Sequence, residues 1–138
     1  MAMGGGASAG SGVAGESFLV RITAGDRVLA SRVKPARSVW RRFLGLMGRP
    51  RLDDGEGLWL PGDASIHMLF MRFPIDAVFL AAADEPGTWR VVTVRERLRP
   101  WRDVVWWVRG AKGCLEVGAG AARAAEVRPG DTVRFDPA

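Results

Sequence analysis

Two stretches near the start of the chain, FLVRITA from Phe18 and RVLASRV ending at Val33, alternate apolar with polar residues on either side of Gly25-Asp26. That period-two pattern around a turn dipeptide predicts a β-hairpin. Pro35 breaks the second strand, and the period then changes. Val39, Trp40, Phe43, Leu44 and Met47 recur at helical spacing while Arg37, Arg41 and Arg42 fall on the other face. The pattern predicts one short amphipathic helix, capped by Ser38 and ended by Gly45 and Gly48. From there the pattern is of short strands. GLWL runs from Gly57 to Leu60, the Ser65 to Leu80 stretch is interrupted at Pro74, and IDAVFLAA pairs with TWRVVTVRERL across Asp84 to Gly87 as a second hairpin. DVVWWV, KGCLEV and DTVRF follow between Gly- or Pro-containing turns, and Ala119 to Ala125 suits a second helical turn. Many short strands joined by turns too brief for parallel crossovers predict a mainly β chain, an antiparallel sandwich or small barrel.

Residues 1–17 read MAMGGGASAGSGVAGES, a Gly/Ala/Ser mixture without an apolar face, and are expected to form a flexible tail ahead of a single β-rich domain over 18–138. The tail has neither the positive start nor the apolar run of a secretory signal, and no later window is long enough to span a membrane. The expectation is therefore a cytoplasmic protein. Its glycines also lack the preceding strand and the Gly-Lys-Ser/Thr ending of a phosphate loop.

Composition narrows the chemistry. With 48 % hydrophobic and 25 % charged residues the 138-residue chain has the make-up of an ordinary globule able to bury a core. One cysteine, Cys114, rules out an internal disulfide and every multi-cysteine zinc pattern. The net charge of +5 comes almost wholly from arginine, since Lys34 and Lys112 are the only lysines. The arginines stand as spaced singles and pairs without the long block of a nucleic-acid tail, so nucleic acid is not an expected partner.

The candidate site lies in SIHMLFMRFPIDAVFL, from Ser65 to Leu80, which holds the only His and places Asp76 inside an apolar run. A buried unpaired polar group costs several kcal/mol, about 2–7 for a neutral one, so His67 and Asp76 each demand a partner or a purpose. For Asp76 the demand is an Arg or several backbone N–H donors, and Arg49 and Arg72 are the natural candidates. A structural Asp–Arg pair is the reading favoured over a catalytic acid, and Glu116 is read the same way. Were Asp76 and Glu116 to converge in a cleft, a two-carboxylate hydrolase would follow. On an extended strand His67 and Met71 share a face about 13 Å apart, too far to hold one metal. A copper(I) site from His67, Met68, Met71 and Met47 would need a bend, and ordinary methionine packing is preferred. Neither a metal nor a nucleotide cofactor is expected. Ser65 lacks a nucleophile elbow, and Cys114 between apolar neighbours reads as a small buried hydrophobe.

GLMGR at Gly45 to Arg49, GLWL at Gly57 to Leu60, H-x-x-x-M-R-F-P-I-D from His67 to Asp76 with AVFL after it, and CLEVGAG from Cys114 to Gly120 occur in that order. Together they resemble the domain-of-unknown-function family 192, over about Phe18 to Phe135. The resemblance implies a compact, mainly antiparallel β fold of the jelly-roll or sandwich kind and no established activity. It maps the family's fixed points onto Gly45, Leu46, Met47, Arg49, Gly57, Met71, Pro74, Asp76, Glu116 and Gly120. It also implies that relatives often carry an export or lipoprotein signal, from which the Gly/Ser tail departs.

Trp59, Trp101, Trp106 and Trp107 exceed what a small core needs, and adjacent Trp106 and Trp107 point to opposite faces of any strand. The combined reading is a non-enzymatic module that binds a small ligand or a protein partner in a cleft around His67, Met71, Asp76 and Arg49, with Arg72, Glu116 and Trp59 as further candidates. The alternative is a hydrolase using Asp76 with Glu116 or His67.

Overall fold

A computed structural model of the protein describes residues 17–36, 49–69 and 71–137. The expected Gly/Ala/Ser tail up to residue 16, the amphipathic helix from Ser38 to Met47 and Phe70 lie outside the described residues. The strands are β1 (Phe18–Ile22), β2 (Arg27–Pro35), β3 (Glu56–Pro61), β4 (Ile66–His67), β5 (Ile75–Ala82), β6 (Thr88–Leu98), β7 (Val104–Val105), β8 (Gly113–Gly118) and β9 (Thr132–Pro137). A four-residue helix, α1 (Ala121–Ala124), follows β8, in the expected second helical turn. No helix among the described residues is long and apolar enough to cross a membrane.

Seven strands close into a barrel in the order β1-β2-β3-β8-β5-β6-β9, while β4 and β7 pair separately as a two-stranded ribbon. Of the sandwich and barrel expected from the strand pattern, the chain forms the barrel. Both predicted hairpins are present, β1 with β2 and β5 with β6. The pairing is mainly antiparallel, as expected, with one parallel seam: β2 and β3 run parallel, Arg32 opposite Glu56 and Lys34 opposite Leu58. Counting explains it. Antiparallel neighbours alternate in direction around a ring, and seven strands cannot alternate throughout, so at least one seam must be parallel. The connection from residue 36 to 55 is long enough to serve as the crossover that such a seam requires.

Two apolar layers are built from alternate residues of the central strands. Val78 and Leu80 of β5, Leu115 and Val117 of β8, and Val20, Val33, Val91 and Val133 fill the barrel. Ile75, Ala77 and Phe79 of β5 and Cys114 of β8 face outward into a second core. There they meet Ile66, Met68, Met71, Val105 and Val108 from the two excursions that carry β4 and β7. This covering explains why IDAVFLAA is apolar without alternation: seven of its eight residues are buried, because β5 is covered on both faces. The predicted DVVWWV strand is shorter than expected. Only Val104 and Val105 pair, with His67 and Ile66, and Trp106 and Trp107 lie beyond the ribbon.

Candidate functional site

Asp76 is completely buried and, sharing the parity of Val78 and Leu80, points into one end of the barrel. Its partners are backbone groups. Arg97 N–H donates to Oδ1 at 2.8 Å, and Gly120 and Ala122 N–H donate to Oδ2 at 3.0 Å each. Each donor is aimed by a local irregularity. The β5–β6 register slips between Ile75 and Ala77, and Arg97 within that bulge adopts φ +53°, which turns its N–H inward. Gly120 sits at φ +95°, a conformation natural only to glycine, and opens α1 with no side chain of its own to cap it. Asp76 therefore supplies, from the strand next to β8, the cap that α1 lacks. The expected pairing of Asp76 with Arg49 or Arg72 is corrected: backbone donors satisfy the carboxylate, and Arg72 is exposed.

Arg49 belongs to another network. Its guanidinium donates to both carboxylate oxygens of Glu56, at 2.6 and 2.5 Å, and lies 3.6 Å from Asp53. Asp53 N–H also donates to Glu56, closing the loop before β3. The bonds from Arg49 hold the Glu56 carboxyl below the ordinary glutamate range.

Between these two networks lies a groove of about 510 Å³, within the roughly 300–1,000 Å³ of small-molecule sites. One wall is the loop from Pro50 to Glu56, and the other runs from Val117 to Ala121 with Ala124. Leu29, Phe73 and Pro74 complete it. Asp53, Asp54 and Glu56 bring three carboxylates to one wall, against the guanidiniums of Arg49 beside it and Arg51 within it. The groove thus has apolar side chains at Leu29, Leu52, Phe73 and Val117 and charged groups along the 50–56 wall.

The remaining candidates are dispersed. Glu116 is fully buried but shares the parity of Cys114, opposite Ala77, so it faces the outer core while Asp76 faces the barrel interior. The two carboxylates stand on opposite faces of the sheet and do not converge, which removes the geometry of a paired-carboxylate hydrolase. Met71 is buried in the outer core, and its N–H donates to the Met68 carbonyl at 3.2 Å. The segment thus turns at Met68 to Met71, and the extended reading that put His67 and Met71 on one strand face is corrected. His67 is half-buried in β4 opposite Val104. Trp59 is a barrel-core residue packed edge-on against Trp89 and Phe135, with centroids 5.0 and 5.1 Å away. None of His67, Met71, Trp59 or Glu116 lines the groove. No three of His, Cys, Asp and Glu gather as a metal site among the described residues.

Sequence reasoning did not single out Asp53, Asp54 or Glu56, which no motif or period marks. The second wall falls on residues it read otherwise, as the end of CLEVGAG and the start of the helical turn from Ala119.

Fold and site together define a small closed β-barrel, with an outer ribbon over one side and a polar-rimmed groove at one end. The chain belongs to the DUF192 family, described as Uncharacterized ACR, whose model matches residues 20–135. It is 34 % identical over 123 residues to a UPF0127 protein of Thermococcus sibiricus, covering 86 % of this chain and 75 % of that one. Among solved structures it is similar to a putative transcription regulator from Sinorhizobium meliloti, at a TM-score of 0.70 and 25 % identity, covering 88 % of this chain and 93 % of that one. It is also similar to a protein of unknown function from Novosphingobium aromaticivorans, at a TM-score of 0.67 and 26 % identity, covering 86 % and 83 %.

Proposed function

We propose that the protein is a binding module that takes a small amphipathic cation in the groove between the 50–56 loop and the 117–121 turn. The observation that carries this reading is the groove itself, ligand-sized and set between two walls that separate polar networks hold in place. Prearranged walls lower the ordering cost of binding. Leu52, Phe73 and Val117 offer an apolar surface, and the Asp53 and Asp54 carboxylates, on the same wall as the Arg49-bound Glu56, offer acceptors to a positive end. The separation of Asp76 and Glu116 onto opposite sheet faces supports binding over paired-carboxylate hydrolysis.

Amide chemical shifts recorded with benzylamine, and with benzoate as the anionic control, test this reading. Benzylamine is expected to shift Asp53 to Gly55 and Gly118 to Ala121 saturably, benzoate to leave them in place, and Ala119→Trp to abolish the effect by filling the groove. Shifts that are absent, or spread evenly over the barrel, would sink the proposal.

A further inference from the structure

On the outer ribbon side, away from the groove's lining, the chain displays large apolar side chains to solvent. Trp106 is 81 % exposed, Trp107 75 % and Trp101 57 %, and Val104 and Leu69 are also exposed. Backbone bonds bring these segments together. Trp101 N–H donates to the Met68 carbonyl at 2.8 Å, next to Leu69, and Met68 N–H donates to the Asp103 carbonyl at 3.0 Å. Val104 pairs with His67 in the ribbon, which leads directly into Trp106 and Trp107. The result is one knuckle.

The knuckle is also built and basic. Asp103 accepts from both the backbone and the guanidinium of Arg99, which closes the turn that carries Trp101. Trp101 itself sits at φ +65°, a conformation in which a bulky side chain is strained, yet the residue stays more than half exposed. Asp103 is the only acid from Arg99 to Lys112, and Arg99 occupies it. Arg102, Arg109 and Lys112 are exposed around the tryptophans, and exposed Arg72 follows the neighbouring turn.

We propose that this knuckle is a membrane-surface anchor, which seats Trp101, Trp106 and Trp107 at the headgroup level of an anionic bilayer while Arg102 and Arg109 meet its phosphates. Indole rings favour that interface because one part is apolar and the N–H is wet. Leu69 and Val104 decide between occupants. Aliphatic side chains gain from an acyl boundary and gain nothing by stacking on a base or a sugar ring. A second copy of the chain fits less well, since a two-fold contact through this patch would set its arginines against one another. The anchoring is peripheral and involves no spanning element.

The full chain, mixed with vesicles of phosphatidylcholine alone or of equimolar phosphatidylcholine and phosphatidylglycerol, supplies the test by cosedimentation. Association with the anionic vesicles at low salt, weakened at high salt, is the expected result. Trp106→Ala with Trp107→Ala is expected to reduce it at least about tenfold, and Arg102→Gln with Arg109→Gln by about fivefold per arginine. These side chains are exposed, so thermal unfolding of both double variants should match wild type. Quenching of wild-type tryptophan emission by brominated phosphatidylcholine gives a readout that requires no variant. The proposal is overturned by a lack of association with the anionic vesicles, by association that survives loss of Trp106 and Trp107, or by emission that brominated lipid leaves unquenched. Tryptophan-dependent dimerisation or oligonucleotide binding without vesicle association overturns it equally.

Discussion

At Asp76, three backbone N–H groups from two distant segments meet one carboxylate, and the substitution Asp76→Asn separates the parts of that arrangement. An amide can keep an acceptor toward Gly120 and Ala122 but must then turn its NH₂ toward the Arg97 N–H, donor against donor. A buried donor without an acceptor costs about 1–3 kcal/mol, so the variant should lose about 2 kcal/mol in denaturant unfolding. A loss below about 0.5 kcal/mol, typical of surface changes, would contradict this account. Glu56 gives the pH-dependent counterpart. Its folded pKa lies below its unfolded value, so its contribution is present above the ordinary glutamate range and is lost as pH falls through the folded value. The stability difference between wild type and Glu56→Gln should be about 1 kcal/mol at neutral pH and should vanish on acidification, as followed by urea unfolding at successive pH values. Sequence alone marked Asp76 as anomalous, because a carboxylate between Ile75 and Ala77 has to be satisfied. It could not name the donors. Main-chain N–H groups carry no residue signature, and the bulge at Arg97 and the turn at Gly120 exist only once β5, β6 and β8 are paired.

Among the elements, β8 packs its backbone tightly against a neighbouring side chain in the barrel wall. A methyl added at Gly113 would overlap the Trp59 indole, which is itself fixed by Trp89 and Phe135. The β8 backbone cannot retreat, since it is laddered to β3 on one side and β5 on the other. Gly113→Ala should therefore cost about 2 kcal/mol by overpacking and change the near-ultraviolet dichroism of the tryptophans. Gly118→Ala, at the other end of the same strand with nothing within 4 Å of the new methyl, should be close to neutral in the same assays. The first hairpin was legible because alternation and a short turn are local properties of the chain, and the second because its turn is, although β5 does not alternate. The excess of tryptophan was legible too, but its division was not: Trp59 and Trp89 went to the core and Trp101, Trp106 and Trp107 to the surface. DVVWWV carries the composition of a strand, and tertiary placement ends its pairing after Val105.

For the molecule as a whole, the pattern left sandwich and barrel open because both bury alternate faces of short strands. Closure depends on the β3–β8–β5 neighbours, whose pairing partners lie tens of residues apart, and the parallel seam follows from ring parity instead of from any residue. The outer layer was equally hidden, although the uninterrupted apolar run of β5 was its signature. Closure matters most for that run. IDAVFLAA has the high β-propensity, low charge and freedom from proline that mark amyloid-forming segments. In the finished ring both of its edges are taken, by β6 and by β8, and both faces are covered. A foreign strand has nowhere to add along it. The hazard is thereby confined to newly made or unfolded chains, in which β6 and β8 have not yet paired with this run.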